Sequence, residues 1–395
     1  MPEADLPESA AAAGKSTSPA FLPYGRQSVT DEDIAAVTAV LRGDWLTTGP
    51  AVTQFEADLA EHTGGVPAVA VTSGTAALHV AYAAAGIKPG DEVVTSPMTF
   101  VATAATAALH GAKVVFADVE PDTGNLSVDA AAAAVTERTK VVAAVDYAGH
   151  PAELDALAKL AHDAGALLLE DAAHSVGGSW QGRAVGSIAD LTTFSFFPTK
   201  NLTTAEGGAV VTADADLLRR AKGFRNHGLV RDKAVQRHPD EGGWHQEVHE
   251  FGLNYRLPDV LCALGSSQLK RLAKFKKRRT EIHARYNTAL ADVEGVLTPP
   301  ARDGADPAWH LYPLRVLENR RRALFDHLRG LGIGVQVNYI PVYWHPVFED
   351  LGYRRGLCPN AEAYYEQELS LPLFPSLTDA DVDRVVDGVR SFFHA

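Results

Sequence analysis

Three short stretches carry side chains suited to covalent or acid–base chemistry. Lys200 follows the run Phe194-Ser195-Phe196-Phe197-Pro198-Thr199. A lysine in such apolar company is desolvated, which lowers its pKa and leaves a nucleophilic amine. A lone lysine can also snorkel to the surface. Asp171 directly follows the apolar run 166–170, where an acid is costly unless a partner meets it. A protonated ring nitrogen is one such partner, and a helix cap is the plainer use. Ser73-Gly74-Thr75 falls between an apolar run and a helical stretch. Free amides at a helix N-terminus, with the close approach that glycine permits, suit a phosphate. Small residues at such a turn also serve simple chain reversal.

Taken as a set, these are the parts that pyridoxal phosphate (PLP) requires. The turn would cradle its phosphate, the acid would keep its ring nitrogen charged as an electron sink, and the lysine would hold its aldehyde.

Strands and helices must bring the three together. Residues 68–71, 92–96, 113–117, 140–146 and 166–170 read as strands, almost continuously apolar as parallel strands buried on both faces are. Residues 76–85, 100–110, 128–136 and 152–162 read as helices between them. This alternation predicts an α/β fold with crossovers of one hand, and the three candidate stretches lie at C-terminal ends of strands, where open α/β sheets bind ligands. A further strand is expected at 207–212. Thr30 followed by Asp33 marks a capped helix start at 30–42. Beyond Asn254 the pattern changes to one long helix, 259–290, then strands at 310–317 and 335–339 and helices at 320–331 and 379–393.

The 395 residues, 46% hydrophobic, exceed one simple core, so two domains are expected. Residues 1–20 are expected to be a disordered tail, 21–258 a large cofactor-binding domain, and 259–395 the long helix with a small C-terminal α+β domain. No run approaches the ~20 apolar residues of a membrane span, and the first eighteen lack the pattern of a signal peptide. Cys262 and Cys358 stand far apart, outside any metal spacing, which fits a reducing cytoplasm. The net charge of −13 argues against nucleic acid or acidic membrane as partner. The basic run Lys274, Lys276, Lys277, Arg278 and Arg279 reads as the solvated face of the long helix.

Longer motifs carry a resemblance. Glu170-Asp171-Ala172-Ala173-His174-Ser175, Phe194-Ser195-Phe196 through Lys200-Asn201, and Ala205-Glu206-Gly207-Gly208 resemble the sugar aminotransferases of the DegT/DnrJ/EryC1/StrS family. Phe21-Leu22-Pro23-Tyr24-Gly25, Asp44-Trp45-Leu46-Thr47-Thr48-Gly49-Pro50 and Gly252-Leu253-Asn254-Tyr255-Arg256 extend the likeness along the chain. The resemblance implies a fold-type-I PLP aminotransferase, α/β with a mainly parallel central sheet between helices. Lys200 would be its Schiff-base lysine and proton shuttle, and Asp171 the partner of the pyridine nitrogen. His174 would stand near the ring oxygen and Phe100 on the ring face. Ser73, Gly74, Thr75 and Ser195 would hold the phosphate, with Asn254 reaching it from a second subunit of a homodimer. Thr47, Tyr147, His310, Asn338 and Tyr339 fall on the substrate side. L-Glutamate is the implied amino donor and a nucleotide-linked keto-sugar the acceptor.

Asp146-Tyr147-Ala148-Gly149-His150-Pro151, His310-Leu311-Tyr312-Pro313 and Cys358-Pro359-Asn360-Ala361-Glu362 are most similar to enzymes that aminate C4 of a 4-keto-6-deoxy sugar, as in pseudaminic-acid synthesis. Asn338 and Tyr343 depart from that pattern, where histidines are usual, in a stretch expected to line the sugar site. A sugar dehydratase on this fold would carry His in place of Lys200, and a non-catalytic sugar-binding protein would have no need of Lys200 and Asp171. The absence of a Gly-x-Gly-x-x-Gly turn after a strand speaks against a dinucleotide dehydrogenase. His238, His245 and His249 with Glu247 and Glu250 lack the zinc-protease order and read as a polar loop over the active site, not a metal centre.

Overall fold

The computed structural model describes residues 20–394; most of the expected N-terminal tail lies outside them. Seven strands form the central sheet: β1 (Ala68–Val71), β2 (Glu92–Thr95), β3 (Lys113–Phe116), β4 (Thr139–Val145), β5 (Leu167–Asp171), β6 (Leu191–Ser195) and β7 (Gly208–Val211). Their order is β1-β7-β6-β5-β4-β2-β3. β3, β2, β4, β5 and β6 pair in parallel, while β7 runs antiparallel between β6 and β1.

Alternation along each strand explains why these runs are apolar throughout. Val93, Val141, Ala143 and Leu169 pack on one face with residues of the helices α3 (Gly74–Ala84) and α4 (Ala102–Leu109), which follow α1 (Asp31–Leu41) and α2 (Pro50–His62) along the chain. Their neighbours Val94, Val142, Ala144 and Leu168 pack on the other with Leu154, Leu157 and Ala161 of the helix Leu154–Asp163. Both faces are covered, as a parallel sheet demands. The helix Asp31–Leu41 opens with the expected capping box between Thr30 and Asp33.

The single helix expected at 259–290 is two, Asp259–Leu269 and Leu272–Leu290. Arg271 leaves helical geometry between them, at φ −111° and ψ 2°, and its guanidinium pairs with the buried Asp33. Leu269 and Leu272 are both buried across the break. The bend thus lets one half pack on the N-terminal helices and the other on the C-terminal elements.

In the C-terminal part, three strands, β8 (Val296–Leu297), β9 (Tyr312–Val316) and β10 (Glu368–Leu371), form an antiparallel sheet. It shares a core with Ile282, Tyr286, Leu324, Leu328, Val382 and Val389, and also with Leu22 from the start of the described chain. Residues 335–339, expected as a strand, make only a bridge between Gln336 and Ser370. The backbone N–H of Asn338 turns instead to the side chain of Glu368. Arg279 departs from the expected solvated face: it is buried and donates to the carbonyl of Leu373 at 2.9 Å.

Candidate active site

The ends of β1, β5 and β6 meet at one cavity of about 400 Å³. Ser73, Gly74 and Thr75 line it at the start of α3, Asp171 and His174 at the end of β5, and Ser195 and Lys200 after β6. Phe100, His310 and Tyr339 complete the set of expected residues that reach it.

Ser73 caps α3, its Oγ accepting the N–H of Ala76 at 3.0 Å. The first-turn amides of Gly74 and Thr75 have no partner within the helix, so they and the positive end of the dipole are free for an anion. A side chain at Gly74 would not fit, because a Cβ there would stand 2.7 Å from Cβ and 2.9 Å from Oγ of Ser195. The close approach leaves the Ser195 hydroxyl beside the helix start, as a phosphate cradle requires.

Asp171 is buried, and its Oδ2 accepts the hydroxyl of Thr103 at 2.6 Å while Oδ1 accepts the N–H of Ala173 at 3.2 Å. Burial raises its pKa, against the lowering effect of those two donors and of Lys200. A cationic ring nitrogen would favour the carboxylate in this place. Thr103, one turn into the helix after Phe100, was not singled out by sequence; its only signal is the three-residue spacing from Phe100. Tyr24 and Thr99 also line the cavity. Tyr24 lies in the family-like stretch Phe21-Leu22-Pro23-Tyr24-Gly25.

Lys200 sits on the connection between β6 and β7. Phe196 N–H donates to Gly207 at 2.8 Å, Thr204 N–H to Phe196 at 3.0 Å, and Lys200 N–H to Phe197 at 2.9 Å. Asn201 pins the same loop by donating to the carbonyls of His174 and Ala308 at 3.0 and 2.7 Å. The lysine keeps some exposure at the cavity mouth, but protein crowds its amine. Desolvation lowers its pKa to about 8, with Asp171 pulling the other way. Burial also lowers the pKa of His174 and His310, whose rings lie 4.4 Å apart, which favours the neutral form of each. Neither buried Nδ1 has a hydrogen-bond partner among the described residues. His174 Nε2 lies 3.2 Å from the hydroxyl of Tyr339, and Phe100 is exposed with Tyr339 edge-on to it at 6.2 Å. An amine of lowered pKa, a buried acid, an anion cradle and imidazole nitrogens open to a partner fit PLP.

Other expected contacts fall elsewhere. Tyr147 and Asn338 do not line the cavity: both are buried, and the Tyr147 hydroxyl donates to the Asn338 carbonyl. Tyr343 is buried in the apolar core, its hydroxyl donating to Glu362 at 2.6 Å, so it too lies off the cavity. Thr47 is exposed and lines a separate depression with Arg231 and Asn226. Asn254 stands exposed, outside the cavity of its own chain. His245 and His249 are not on a helix; both turn to the carboxylate of Glu247, whose strand pairs with Leu229–Val230.

A mixed, mostly parallel sheet that closes a lysine, an acid and an anion cradle around one cavity defines a PLP-dependent aminotransferase of fold type I. The sequence profile of the DegT/DnrJ/EryC1/StrS aminotransferase family matches residues 27–390, and the chain belongs to that family. It is 44% identical over 376 residues to the spore coat polysaccharide biosynthesis protein SpsC of Bacillus subtilis, which covers 94% of this chain and 96% of that one. Among solved structures, PseC of Helicobacter pylori, an aminotransferase of pseudaminic-acid biosynthesis, superposes with a TM-score of 0.88 at 31% identity, covering 95% of this chain and 99% of that one. The PLP form of the aminotransferase Spr1654 of Streptococcus pneumoniae superposes with a TM-score of 0.88 at 28% identity, over 95% and 99% of the two chains.

Proposed function

We propose that the protein transfers the amino group of L-glutamate to C4 of a nucleotide-linked 4-keto-6-deoxy hexose. The observation that carries the amino-transfer part of this reading is the convergence of Lys200, Asp171 and the Gly74–Ser195 cradle on one cavity. When bound, PLP supplies a carbonyl carbon that carries the amino group and a ring that takes up electron density.

The chain's own groups do the rest. Lys200 Nζ, whose lowered pKa leaves a substantial fraction of free amine at physiological pH, holds the cofactor and takes the proton from the α-carbon of the donor. Asp171, kept in place by Thr103, presents an anion to the ring nitrogen. His174 offers a neutral imidazole to the ring oxygen, and Phe100 covers one ring face. Gly74, Thr75 and Ser195 bind the phosphate, and Asn254 reaches it from a second subunit of a homodimer. His310 and Tyr339 face the sugar. Residues 21–258 are assigned to the cofactor-binding domain and 259–395 to the smaller one.

Support for the sugar comes from the motifs around Asp146 and Cys358 and from the likeness to PseC. Two free, buried cysteines suit a reducing cytoplasm, and no helix among the described residues is long and apolar enough to cross a membrane. The test is a panel of UDP- and dTDP-linked 4-keto and 3-keto sugars incubated with glutamate, with products located by mass and NMR. Amination at C4 is expected. Conversion of 3-keto sugars or inositol-type ketones alone would overturn the sugar assignment and leave the reaction class standing.

A further inference from the structure

Glu368 is a fully buried acid with no part in the chemistry above. It begins β10, and its two oxygens are both engaged. Oε2 accepts the backbone N–H of Asn338 at 2.6 Å, and Oε1 accepts the hydroxyl of Ser370. The side-chain amide of Asn338 donates in turn to Ser370 Oγ at 3.0 Å and to the Tyr24 hydroxyl at 3.4 Å. With the Tyr147 hydroxyl on its carbonyl, Asn338 is held at its amide, its side chain and its carbonyl. The next residue is Tyr339, whose hydroxyl meets His174 at 3.2 Å and whose ring lies 25° from parallel to the imidazole.

Keeping an acid here is costly: burial pushes Glu368 up to about 8. An apolar side chain would avoid that cost but would leave the Asn338 amide and the Ser370 hydroxyl without acceptors. We propose that Glu368 is a positioning residue: by fixing Asn338 it sets the Tyr339 hydroxyl on His174, and so holds the imidazole in the wall of the PLP cavity. This rests on PLP occupying that cavity.

The test uses full-length protein loaded with PLP, with bound cofactor quantified for every variant. The readouts are the visible circular dichroism per bound PLP, which reports the asymmetry of its surroundings, and the rate of the half-reaction with glutamate. Tyr339→Phe removes the hydroxyl from His174, and Glu368→Ala removes the anchor behind it. Each should alter the dichroism in the same sense and slow the half-reaction about tenfold, the scale of one lost hydrogen bond. The double variant should lie within about twofold of either single one, because both act through one contact. Glu368→Gln keeps an acceptor for Asn338 and a partner for Ser370, and should return both readouts to within about twofold of wild type. If Glu368→Ala does not fold, Ser370→Ala takes its place. It loosens the same network and should shift the dichroism in the same sense as Tyr339→Phe.

Wild-type dichroism and rate in Glu368→Ala, or in Ser370→Ala where it substitutes, would overturn the inference. So would effects of Glu368→Ala and Tyr339→Phe that multiply. Failure of the underlying site reading looks different: borohydride reduction would then place the pyridoxyl label on a lysine other than Lys200.

Discussion

Asp171 and Lys200 line one cavity and oppose each other's response to burial. Desolvation drives the lysine towards its neutral form and the aspartate towards its protonated form, and the charge of each partner works against the shift of the other.

The lysine pKa of about 8 gives a pH dependence with a definite sign. A lowered pKa means that the free amine dominates above about 8 instead of above 10.5. At pH 7.5 about a quarter of the amine is free, against roughly one part in a thousand for an ordinary lysine. The rate at which the apoenzyme captures PLP should therefore rise with pH, bend near 8 and level off. A rise that continues to pH 10 would show that the amine is not desolvated.

Asp171→Asn should leave the fold intact and slow turnover by about two orders of magnitude or more, since a neutral amide does not hold the ring nitrogen protonated. Melting temperature and kcat measured together separate the two effects. Near-normal kcat would reduce Asp171 to a structural role.

Gly74→Ala should weaken PLP binding at least tenfold, because the new methyl must displace Ser195 from the phosphate cradle. Equilibrium dialysis of the apoenzyme with PLP measures it. Since the site lies at a helix start outside the deep core, melting of the apoenzyme should change little by comparison. Unchanged PLP affinity would mean that the phosphate sits elsewhere.

Lys200→Ala and Asn254→Asp should each be inactive, the first for want of the amine and the second because it sets a carboxylate against the phosphate. Co-expression tests the shared site. Random pairing makes about half the dimers mixed, each with one intact site, so activity should return to roughly a quarter of wild type. Mixed dimers that stay inactive would show that Asn254 does not act across the interface.

The sheet and the groups that line the cavity were legible because one physical rule governs each. Strands buried on both faces must be apolar throughout, and β1 falls on 68–71 as read. Gly74, Asp171 and Lys200 follow strand ends, where the sheet delivers them to one place. The substrate side was less legible because it depends on where loops turn. Tyr147 and Asn338 fell outside the cavity because they bond to each other, and no local pattern announces a contact between residues so distant in sequence. Thr103 escaped notice for the same reason: its partner, Asp171, belongs to another strand-end. The break at Arg271 was hidden because apolar spacing continues across it, while the acid that Arg271 pairs with there, Asp33, lies near the other end of the chain.

The reversed strand β7 has a consequence for how the protein is born. Lys200 hangs on a loop whose two ends are stitched together where Ser195 pairs with Gly208, and β7 is in turn clasped by β1, Ala68 against Val211. That second pairing joins segments made far apart during synthesis, and such distant contacts form late. The lysine reaches its place opposite the helix start at Gly74 only when this last strand has slotted in. The grip on PLP therefore depends on a pairing between distant segments, because the cavity that Lys200 and Gly74 line exists only in the closed sheet. Once PLP is bound, the coloured protein is stabilised over the colourless one by mass action.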